Sequence, residues 1–179
     1  MKIKAWHFAT NDRRLGYGDG RLVVKGRTLK YTGKKPIMMC TRGLHASERL
    51  IDALRYAPGN IICRVELSGE IIRGDDKLCA TERKCLWWID GEAVLWEMAC
   101  WSAEQALPIW EKYYPDDRRP RNAIKARRGW LKGEVSDQEL AAAWDAARDA
   151  AWAAAGDAAR DAQERKFTTL VMAAHRKQK

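Results

Sequence analysis

Residues 61–67 read IICRVEL, and this stretch decides the class of fold. Its apolar and polar side chains alternate with a period of two, which is typical of a β-strand that is buried on one face. The apolar side holds Ile61, Cys63, Val65 and Leu67, and the polar side holds Arg64, Glu66 and Ser68. Gly69 then predicts a turn, and residues 78–89 predict a further strand.

Toward the N-terminus, the same reasoning predicts more strands and one helix. Residues 1–9 predict a first strand, and residues 21–33 (RLVVKGRTLKYTG) predict two short strands around a turn at Lys25 and Gly26. Ser47 is a candidate N-cap for a helix that runs to about Ala57 and is stopped by Pro58. Residues 1–90 therefore predict a basic α+β domain with a small mixed or antiparallel sheet.

Toward the C-terminus, the composition becomes helical. Ser102 with Gln105, and Ser136 with Glu139, have the spacing of capping boxes. The other helix boundaries are predicted from Pro108, Asp116, Asp117, Pro120 and Gly133. Residues 91–179 therefore predict an Ala- and Trp-rich α-helical domain, so that the fold class of the whole chain is α+β.

An internal repeat lies within that domain, and we predict an Ala-rich helix over residues 137–166. In steps of four, residues 142–161 read AAWD, AARD, AAWA, AAGD and AARD. Trp144 and Trp152 are eight residues apart, which places them near each other on one side of a helix. The segment is either one helix packed on the two before it or a protein-binding helix with two tryptophan anchors.

The charge of the chain is uneven. The 179 residues carry a net charge of +9, while residues 1–64 alone contain 14 basic and 4 acidic side chains. Such a block favours an anionic partner, although a solvated surface is the plain alternative. The candidate partner- or anion-binding residues are Arg13, Arg14, Arg21, Lys25, Arg27, Lys30, Lys34, Lys35 and Arg42. Tyr17 and Tyr31 lie among them, so a nucleic acid or a nucleotide is a further possible partner.

Cysteine and histidine spacing argues against a metal site. The five cysteines form no CxxC pair, and the three histidines are scattered. We therefore predict no metal and no cofactor, and reduced thiols in a cytoplasmic protein. The N-terminal residues lack the apolar core of a signal peptide, and no apolar run is long enough for a membrane span.

Signatures of catalysis are sparse. The sequence contains no P-loop, GxGxxG, GxSxG or HExxH pattern. The best local candidate is His45, with Arg42 close by and Glu82 on a later strand. In an ADP-ribosyltransferase-type pocket, the arginine would neutralise phosphate, the histidine would orient a ribose and the glutamate would stabilise an oxocarbenium-like centre. A structural histidine bonded to the backbone is the alternative.

The stretch from Gly43 to Glu82 resembles a domain of unknown function common in phages and prophages. That domain shows a G-[FL]-H-A core, a short helix with Asp and Tyr, a strand ending at Gly, and a K-x-x-A-[ST] strand. The matching residues are Gly43, His45, Ala46, Asp52, Tyr56, Gly69, Lys77, Ala80 and Thr81. The chain departs from the family at Ser47, where the family core usually has Cys.

Residues 103–162 are similar to helical immunity-like domains found near polymorphic toxins and in phage genomes. The resemblance rests on RRP (residues 118–120), AI (123–124), WLKGE (130–134) and the Ala-rich segment. The two resemblances together imply a phage or prophage accessory protein that acts in conflict between bacteria and their competitors. Neither of them implies an established reaction.

The main functional hypothesis is a phage-borne, non-enzymatic inhibitor or immunity-like protein. It would block a host or competitor protein, or a ribonucleoprotein such as CRISPR-type machinery, through the basic N-terminal surface. Its partner would present an acidic surface. The alternatives are an enzyme that uses His45 and Glu82, and a nucleic-acid or cyclic-nucleotide binder.

Overall fold

The computed structural model describes the backbone of residues 1–147 and 157–178 and the side chains of residues 1–147 and 163–178. It shows an α+β protein, as predicted. The elements of the first half are β1 (Ile3–Ala9), β2 (Thr28–Lys30), β3 (Leu44–Ala46), α1 (Leu50–Leu54), β4 (Ile61–Arg73) and β5 (Leu78–Asp90). The helices that follow are α2 (Glu92–Tyr113), α3 (Arg119–Leu131), α4 (Asp137–Ala147) and α5 (Asp157–Lys177).

The strands form one antiparallel sheet in the order β1-β4-β5-β2. The long β4–β5 hairpin is its centre, and β1 pairs with the outer side of β4. Along the other side of β5, β2 lies opposite Glu82–Lys84 and β3 lies opposite Leu78–Ala80. The loops that precede β2 and β3 are thereby brought to one edge of the sheet.

The turn predicted at Gly69 is wrong, because β4 continues to Arg73. The pairing between β4 and β5 shifts at this position, and Gly69 has a φ of 75°. A Cβ at Gly69 would lie 2.1 Å from Thr81 Oγ1, the atom that accepts a hydrogen bond from the backbone N–H of Glu70 at 3.0 Å. Glycine therefore permits a β-bulge here, which bends the strand and does not end it.

One face of the sheet is covered by the loop between β1 and β2. Leu15 and Val23 of this loop are buried against apolar residues of the strands. The strand members of this core include Ala5, Ala9, Ile61, Cys63, Val65, Leu67 and Cys85. The alternation in residues 61–67 is thus confirmed, since its apolar side is the side in this core.

The C-terminal part of α5 contributes to the same compact unit as the sheet. The ring of Phe167 lies 6.5 Å from that of Phe8, and the imidazole of His175 stacks on Trp87 at 4.0 Å. Phe8, Phe167 and Val171 are almost completely buried. Aromatic contacts of this kind add to the gain from burial.

Two local predictions in the first half are wrong. Only β2 forms in residues 21–33, because Val23 is buried beneath the sheet as part of a loop and Leu22 makes a single bridge to Arg14. Ser47 is not the N-cap of α1, because the N-cap position is Arg49; the backbone N–H and C=O of Ser47 pair with the C=O and N–H of Trp6 at 2.9 and 2.7 Å. The helix consequently begins only at Leu50.

The capping box predicted at Ser102 is also wrong. This residue lies inside α2, which runs continuously through Pro108 to Tyr113. The helix boundary predicted at Pro108 is wrong as well, because α2 continues through this residue. The predictions at the ends of α3 are confirmed: Pro120 lies in its first turn, and Gly133, with a φ of 76°, follows its end. At α4, Ser136 N–H donates to Glu139 Oε2 at 2.9 Å and Glu139 N–H lies 3.3 Å from Ser136 Oγ.

Contacts divide the chain into two compact units. The sheet unit comprises Met1–Glu92 with Phe167–Lys179, and the helical unit comprises Ala93–Lys166. Within the helical unit, Arg128 Nη2 of α3 donates to Glu97 and Glu104 of α2, each at 2.9 Å. The domain boundary at residue 90 stays a prediction, as does the single repeat helix over 137–166, part of which lies outside the described residues.

Candidate functional site

The imidazole of His45, in β3, is held by the backbone of the preceding loop. The backbone N–H of Cys40 donates to Nε2 at 3.1 Å, so this nitrogen carries no proton. Burial, and then the charges of Arg83 and Lys77, lower the pKa of His45 below its ordinary value. At neutral pH the ring is uncharged, and its Nε2 lone pair is already used.

Glu82 is not brought to His45. Its carboxylate accepts a hydrogen bond from Ser68 Oγ at 2.9 Å and lies 3.0 Å from Lys30 Nζ, and these contacts, that of Lys30 first, lower the pKa of Glu82. His45 is opposite Cys79 in the register of the sheet. Because Glu82 is three positions from Cys79 along β5, its side chain lies on the other face. The two residues proposed as a catalytic pair do not share a site.

Three of the nine basic residues singled out from the sequence are engaged by nearby carboxylates. The ion pairs are Arg14 with Asp12, Arg21 with Asp19, and Lys30 with Glu82. All three carboxylates belong to the sheet unit itself. A large part of the local positive charge is therefore balanced within this unit.

The other six basic residues are arranged differently. The guanidinium of Arg13 lies 4.8 Å from the centre of the Trp88 ring, and Arg42 Nε donates to the carbonyl oxygen of Pro36 at 3.1 Å. The remaining four side chains are exposed and make no ion pair within the described part of the chain; they are Lys25, Arg27, Lys34 and Lys35. That these four form a partner-binding surface stays a prediction.

A cleft of about 550 Å³, the N-terminal cleft, opens in the sheet unit beside His45. Its walls come from β1, from β3, and from the loops that precede β2 and β3. Among the predicted site residues, Arg21, Arg42 and His45 line it. The other polar or aromatic residues on its walls are Trp6, His7, Phe8, Tyr17, Asp19, Tyr31, Cys40, Thr41, Ser47, Tyr56, Lys77 and Arg83.

Arg83 is the charged residue of this cleft that the sequence analysis missed. It is only 4% exposed. Its Nη1 donates to His7 Nδ1 at 3.0 Å and to the carbonyl oxygen of His45, and both acceptors are uncharged. Burial lowers the pKa of Arg83 to about 10, so the guanidinium is still charged at neutral pH. No carboxylate of the described residues pairs with it.

His7, in β1, was missed as well. A guanidinium group only donates, so His7 Nδ1 is the acceptor and the proton of the neutral ring is on Nε2. Burial, and then the charges of Arg83 and His45, lower the pKa of His7 well below its ordinary value. Nε2 is buried and has no hydrogen-bond partner among the described residues. The cleft is therefore lined by a histidine with an unused N–H.

A weak signal for Arg83 was present in the sequence. The face of β5 that carries Arg83 also carries the buried residues Cys79 and Cys85. Arg83 is an even number of residues from both cysteines, so the alternation of a strand places its charge on the same face as two buried thiols. A buried charge is unfavourable, so arginine at such a position indicates a binding or structural role. His7 gave no comparable signal.

A second cavity, the helical groove, lies in the helical unit between α2, α3 and α4. It measures about 440 Å³, and its lining is mostly apolar. Four of the large lining side chains are exposed: Ile109, Tyr113, Tyr114 and Trp144. The predicted anchor Trp144 is thus on the surface, 42% exposed, whereas Trp152 lies outside the described residues.

Arg127 of α3 forms part of the wall of the helical groove. Its guanidinium lies 3.9 Å from the centre of the Trp96 ring, 5.2 Å from that of Trp130 and 5.7 Å from that of Trp144. These cation–π contacts join side chains of α2, α3 and α4. The groove is thereby built on aromatic rings held in place by a shared cation.

The described part of the chain contains neither a cluster of metal-ligand side chains nor a membrane-spanning helix. No group of three or more His, Cys, Asp or Glu side chains lies close enough together to hold a metal ion. None of the described helices combines the length and apolar character needed to cross a lipid bilayer.

Comparison with protein families confirms the two-part resemblance. Residues 24–97 match the family described as "Domain of unknown function (DUF7666)". Residues 91–178 match the family described as "Imm-5 like putative immunity protein". No curated protein and no solved structure matches the chain. The helical part, which contains the helical groove, is therefore similar to this immunity family.

Proposed function

We propose that the protein is a non-enzymatic binding protein of the immunity type, which inactivates a partner protein by covering part of its surface. The observation that carries this proposal is the position of the helical groove. It lies within the residues that match the immunity family, and its exposed rim is aromatic and aliphatic. A toxin protein is the partner that this family description suggests.

The exposure of the groove supports an interface. Tyr113 is 70% exposed, Tyr114 is 53% exposed and Ile109 is 52% exposed. Large side chains of this kind each contribute about 1.5–3 kcal/mol when they are buried. Aromatic residues around an apolar pocket are also typical of the few contacts that dominate binding between proteins. We therefore expect the partner to insert an apolar side chain into the groove.

The exposed basic residues Lys25, Arg27, Lys34 and Lys35 form a second element of the proposal. They would attract an acidic partner and raise the rate of association, and this contribution would be sensitive to salt. The resemblance of the N-terminal half to a phage-associated domain supports a phage-borne protein that acts in the bacterial cytoplasm. Inhibition of a host defence complex, CRISPR machinery included, is the finer form of this proposal.

The test is growth rescue in bacteria that express a candidate partner toxin. We expect the unchanged chain to restore growth and to form a stable complex with the purified toxin. The substitution Ile109→Asp, on the rim of the groove, should weaken the complex about 100-fold and abolish rescue, because it places a charge where apolar surface is buried.

The matched control is Gln105→Asp, which adds the same charge one turn earlier on the same helix, at an exposed position that does not line the groove. It should rescue growth like the unchanged chain. Circular dichroism should show that both variants are folded. Equal activity of the two variants would contradict the role of the groove, and the absence of any complex with the toxin would contradict the proposed function.

A further inference from the structure

We propose that the N-terminal cleft is a binding site for a mononucleotide, with the phosphate group of the ligand placed against Arg83. This site is in the sheet unit, and the proposal does not rest on the helical groove or on an immunity role. Four properties of the cleft support it: a buried cation without a paired carboxylate, an unused donor, a positive wall, and tyrosine rings of which that of Tyr17 is exposed.

The buried cation is the first property. A buried arginine is ordinarily paired with a carboxylate, because an isolated buried charge is unfavourable. The hydrogen bonds of Arg83 go to two neutral acceptors and use only Nη1, so Nε and Nη2 have no partner among the described residues. Burial is the largest influence on the pKa of Arg83 and lowers it, and no carboxylate of the described residues forms an ion pair with the guanidinium. A phosphate in the cleft would supply both the missing charge and acceptors in the planar arrangement that a guanidinium prefers.

The second property is the unused donor. His7 Nδ1 accepts from Arg83, which leaves the proton on Nε2, and this N–H has no acceptor among the described residues. Buried donors are nearly always satisfied in proteins, and exceptions point to an absent partner. An oxygen-rich ligand would supply the acceptor. His7 and Arg83 together thus favour the same chemistry, although they lie on different strands.

The third property is the charge of the walls. Arg21, Arg42, Lys77 and Arg83 line the cleft, and Asp19 is the one carboxylate among the lining residues that the structure describes. Asp19 is held by Arg21, whose Nε and Nη2 donate to its two oxygens at 2.6 and 2.7 Å. The cleft therefore keeps a net positive charge, which would attract a phosphorylated ligand.

The fourth property is the aromatic wall. Tyr17, Tyr31 and Tyr56 line the cleft. Tyr17 is 85% exposed, and its hydroxyl donates to the carbonyl oxygen of Tyr56 at 3.0 Å. Exposed rings next to cations bind nucleobases by stacking. The volume of about 550 Å³ is in the range of small-molecule sites, so a single nucleotide fits better than a strand.

The test is isothermal titration calorimetry of the full chain with AMP, GMP, CMP and UMP. The comparison ligands are the four nucleosides, inorganic phosphate and a ten-nucleotide single-stranded DNA. We expect at least one mononucleotide to bind with 1:1 stoichiometry, about tenfold or more tightly than its nucleoside and than inorganic phosphate. The affinity should fall as salt is added, because the phosphate contact is electrostatic.

Two variants and one control locate the site. Arg83→Gln keeps hydrogen-bond donors but removes the charge. Lys77→Ala removes a half-buried cation from the wall of the cleft, together with its contact with the Tyr56 ring at 4.1 Å. Each should weaken mononucleotide binding about tenfold. Lys84→Ala, an exposed position on β5 that does not line the cleft, should change it less than about twofold. Circular dichroism checks the fold of each variant. If Arg83→Gln does not fold, the comparison of Lys77→Ala with Lys84→Ala tests whether the nucleotide binds in the cleft.

The proposal is overturned when no mononucleotide binds with a Kd below about 5 mM. It is also overturned when Lys77→Ala and Lys84→Ala weaken binding equally, since the surface would then be diffusely basic. Equal affinity for inorganic phosphate would reject the nucleotide, and tighter binding of the single-stranded DNA would assign the surface to nucleic acid. None of these outcomes would alter toxin binding by the helical groove, so the two proposals fail separately.

Discussion

At the scale of single residues, two glycines allow the cost of a positive φ to be distinguished from the cost of a steric clash. Gly69 and Gly26 have φ values of 75° and 80°, but an added Cβ meets Thr81 Oγ1 at 2.1 Å in the first and nothing within 4 Å in the second. We expect Gly26→Ala to lower the free energy of unfolding by about 1 kcal/mol through backbone strain alone. Gly69→Ala should lower it by about 2–4 kcal/mol, since a clash is added.

Urea denaturation followed by tryptophan fluorescence measures both glycine variants. A third variant, Gly69→Ala with Thr81→Ala, removes the clashing hydroxyl and should recover part of the loss. If the two single variants were equally stable, the bulge at Gly69 would not be as crowded as described.

The lowered pKa values of two histidines allow a prediction of how the free energy of unfolding depends on pH. The pKa values of His7 and His45 are lowered in the folded protein, chiefly by burial, so the unfolded chain binds protons more readily. Their contribution to stability is complete above the unfolded value of about 6.5 and is lost as the pH falls below it. We expect the free energy of unfolding to fall between pH 7.5 and pH 5.5 by about 1–2 kcal/mol.

Urea denaturation at the two pH values tests this prediction. The carboxylates with lowered pKa values, such as Asp117 at about 2, titrate too far below pH 5.5 to contribute. The substitution His45→Gln should reduce the difference between the two pH values, because it removes one of the two groups. A stability that is constant or rises on acidification would show that these rings are not kept neutral by burial.

The sequence alone identified three residues of the N-terminal cleft: Arg21, Arg42 and His45. His45 was identified from its place before a predicted helix, and the backbone-bonded alternative describes it better than a catalytic role. Arg83 and His7 could not be found in the same way, because their meaning depends on contacts between β1, β3 and β5. A strand position with arginine is ordinarily solvated, and only the pairing of strands shows that this one is buried.

At the scale of elements, one of the two predicted capping boxes is confirmed and the other is wrong. Ser136 caps α4, whereas Ser102 is inside α2. We expect Ser136→Ala to lower the free energy of unfolding of the helical unit by about 1 kcal/mol. Ser102→Ala should leave it unchanged or raise it by a few tenths of a kcal/mol, about the difference in helix propensity.

Thermal unfolding followed by circular dichroism at 222 nm distinguishes the two serine variants. A loss of stability in Ser102→Ala as large as that in Ser136→Ala would contradict the course of α2 described above. The replacement Ser136→Asp serves as a control, because aspartate is also a good N-cap and should keep most of the stability.

The elements that were predicted well are those in which local pattern and tertiary packing agree. The alternation in β4 and the cap of α4 are examples, because their own side chains supply the periodicity or the hydrogen bonds. The wrong predictions concern residues whose local pattern is outweighed by contacts with other parts of the chain. Val23 is buried by loop packing without joining a strand, and the backbone of Ser47 is engaged by Trp6, while Arg49 is the N-cap of α1. Such choices are decided by distant residues.

At the scale of the whole molecule, the C-terminal residues of α5 are required by the sheet unit. Phe167 is completely buried and its ring contacts Phe8. We expect Phe167→Ala to lower the free energy of unfolding of the sheet unit by about 3–5 kcal/mol. The fragment of residues 1–92, which lacks Phe167, Val171 and His175, should be much less stable than the sheet unit in the full chain.

Urea denaturation of the full-length variant and of the fragment tests this dependence. Met172→Ala is the matched control, because Met172 is on the same helix but 38% exposed, and its loss should change stability by less than about 0.5 kcal/mol. A fragment of residues 1–92 that unfolds like the full chain would contradict the division into units and would support an independent domain ending near residue 90.

The contribution of Phe167 and Val171 to the sheet unit has a consequence for biosynthesis. A ribosome makes the strands first and the residues that complete their core last, after all of the helical unit. At ordinary rates of translation, the delay is on the order of ten seconds. Throughout that interval the nascent strands lack the side chain of Phe167 that contacts Phe8, so we expect this apolar surface to be accessible to chaperones bound at the ribosome exit.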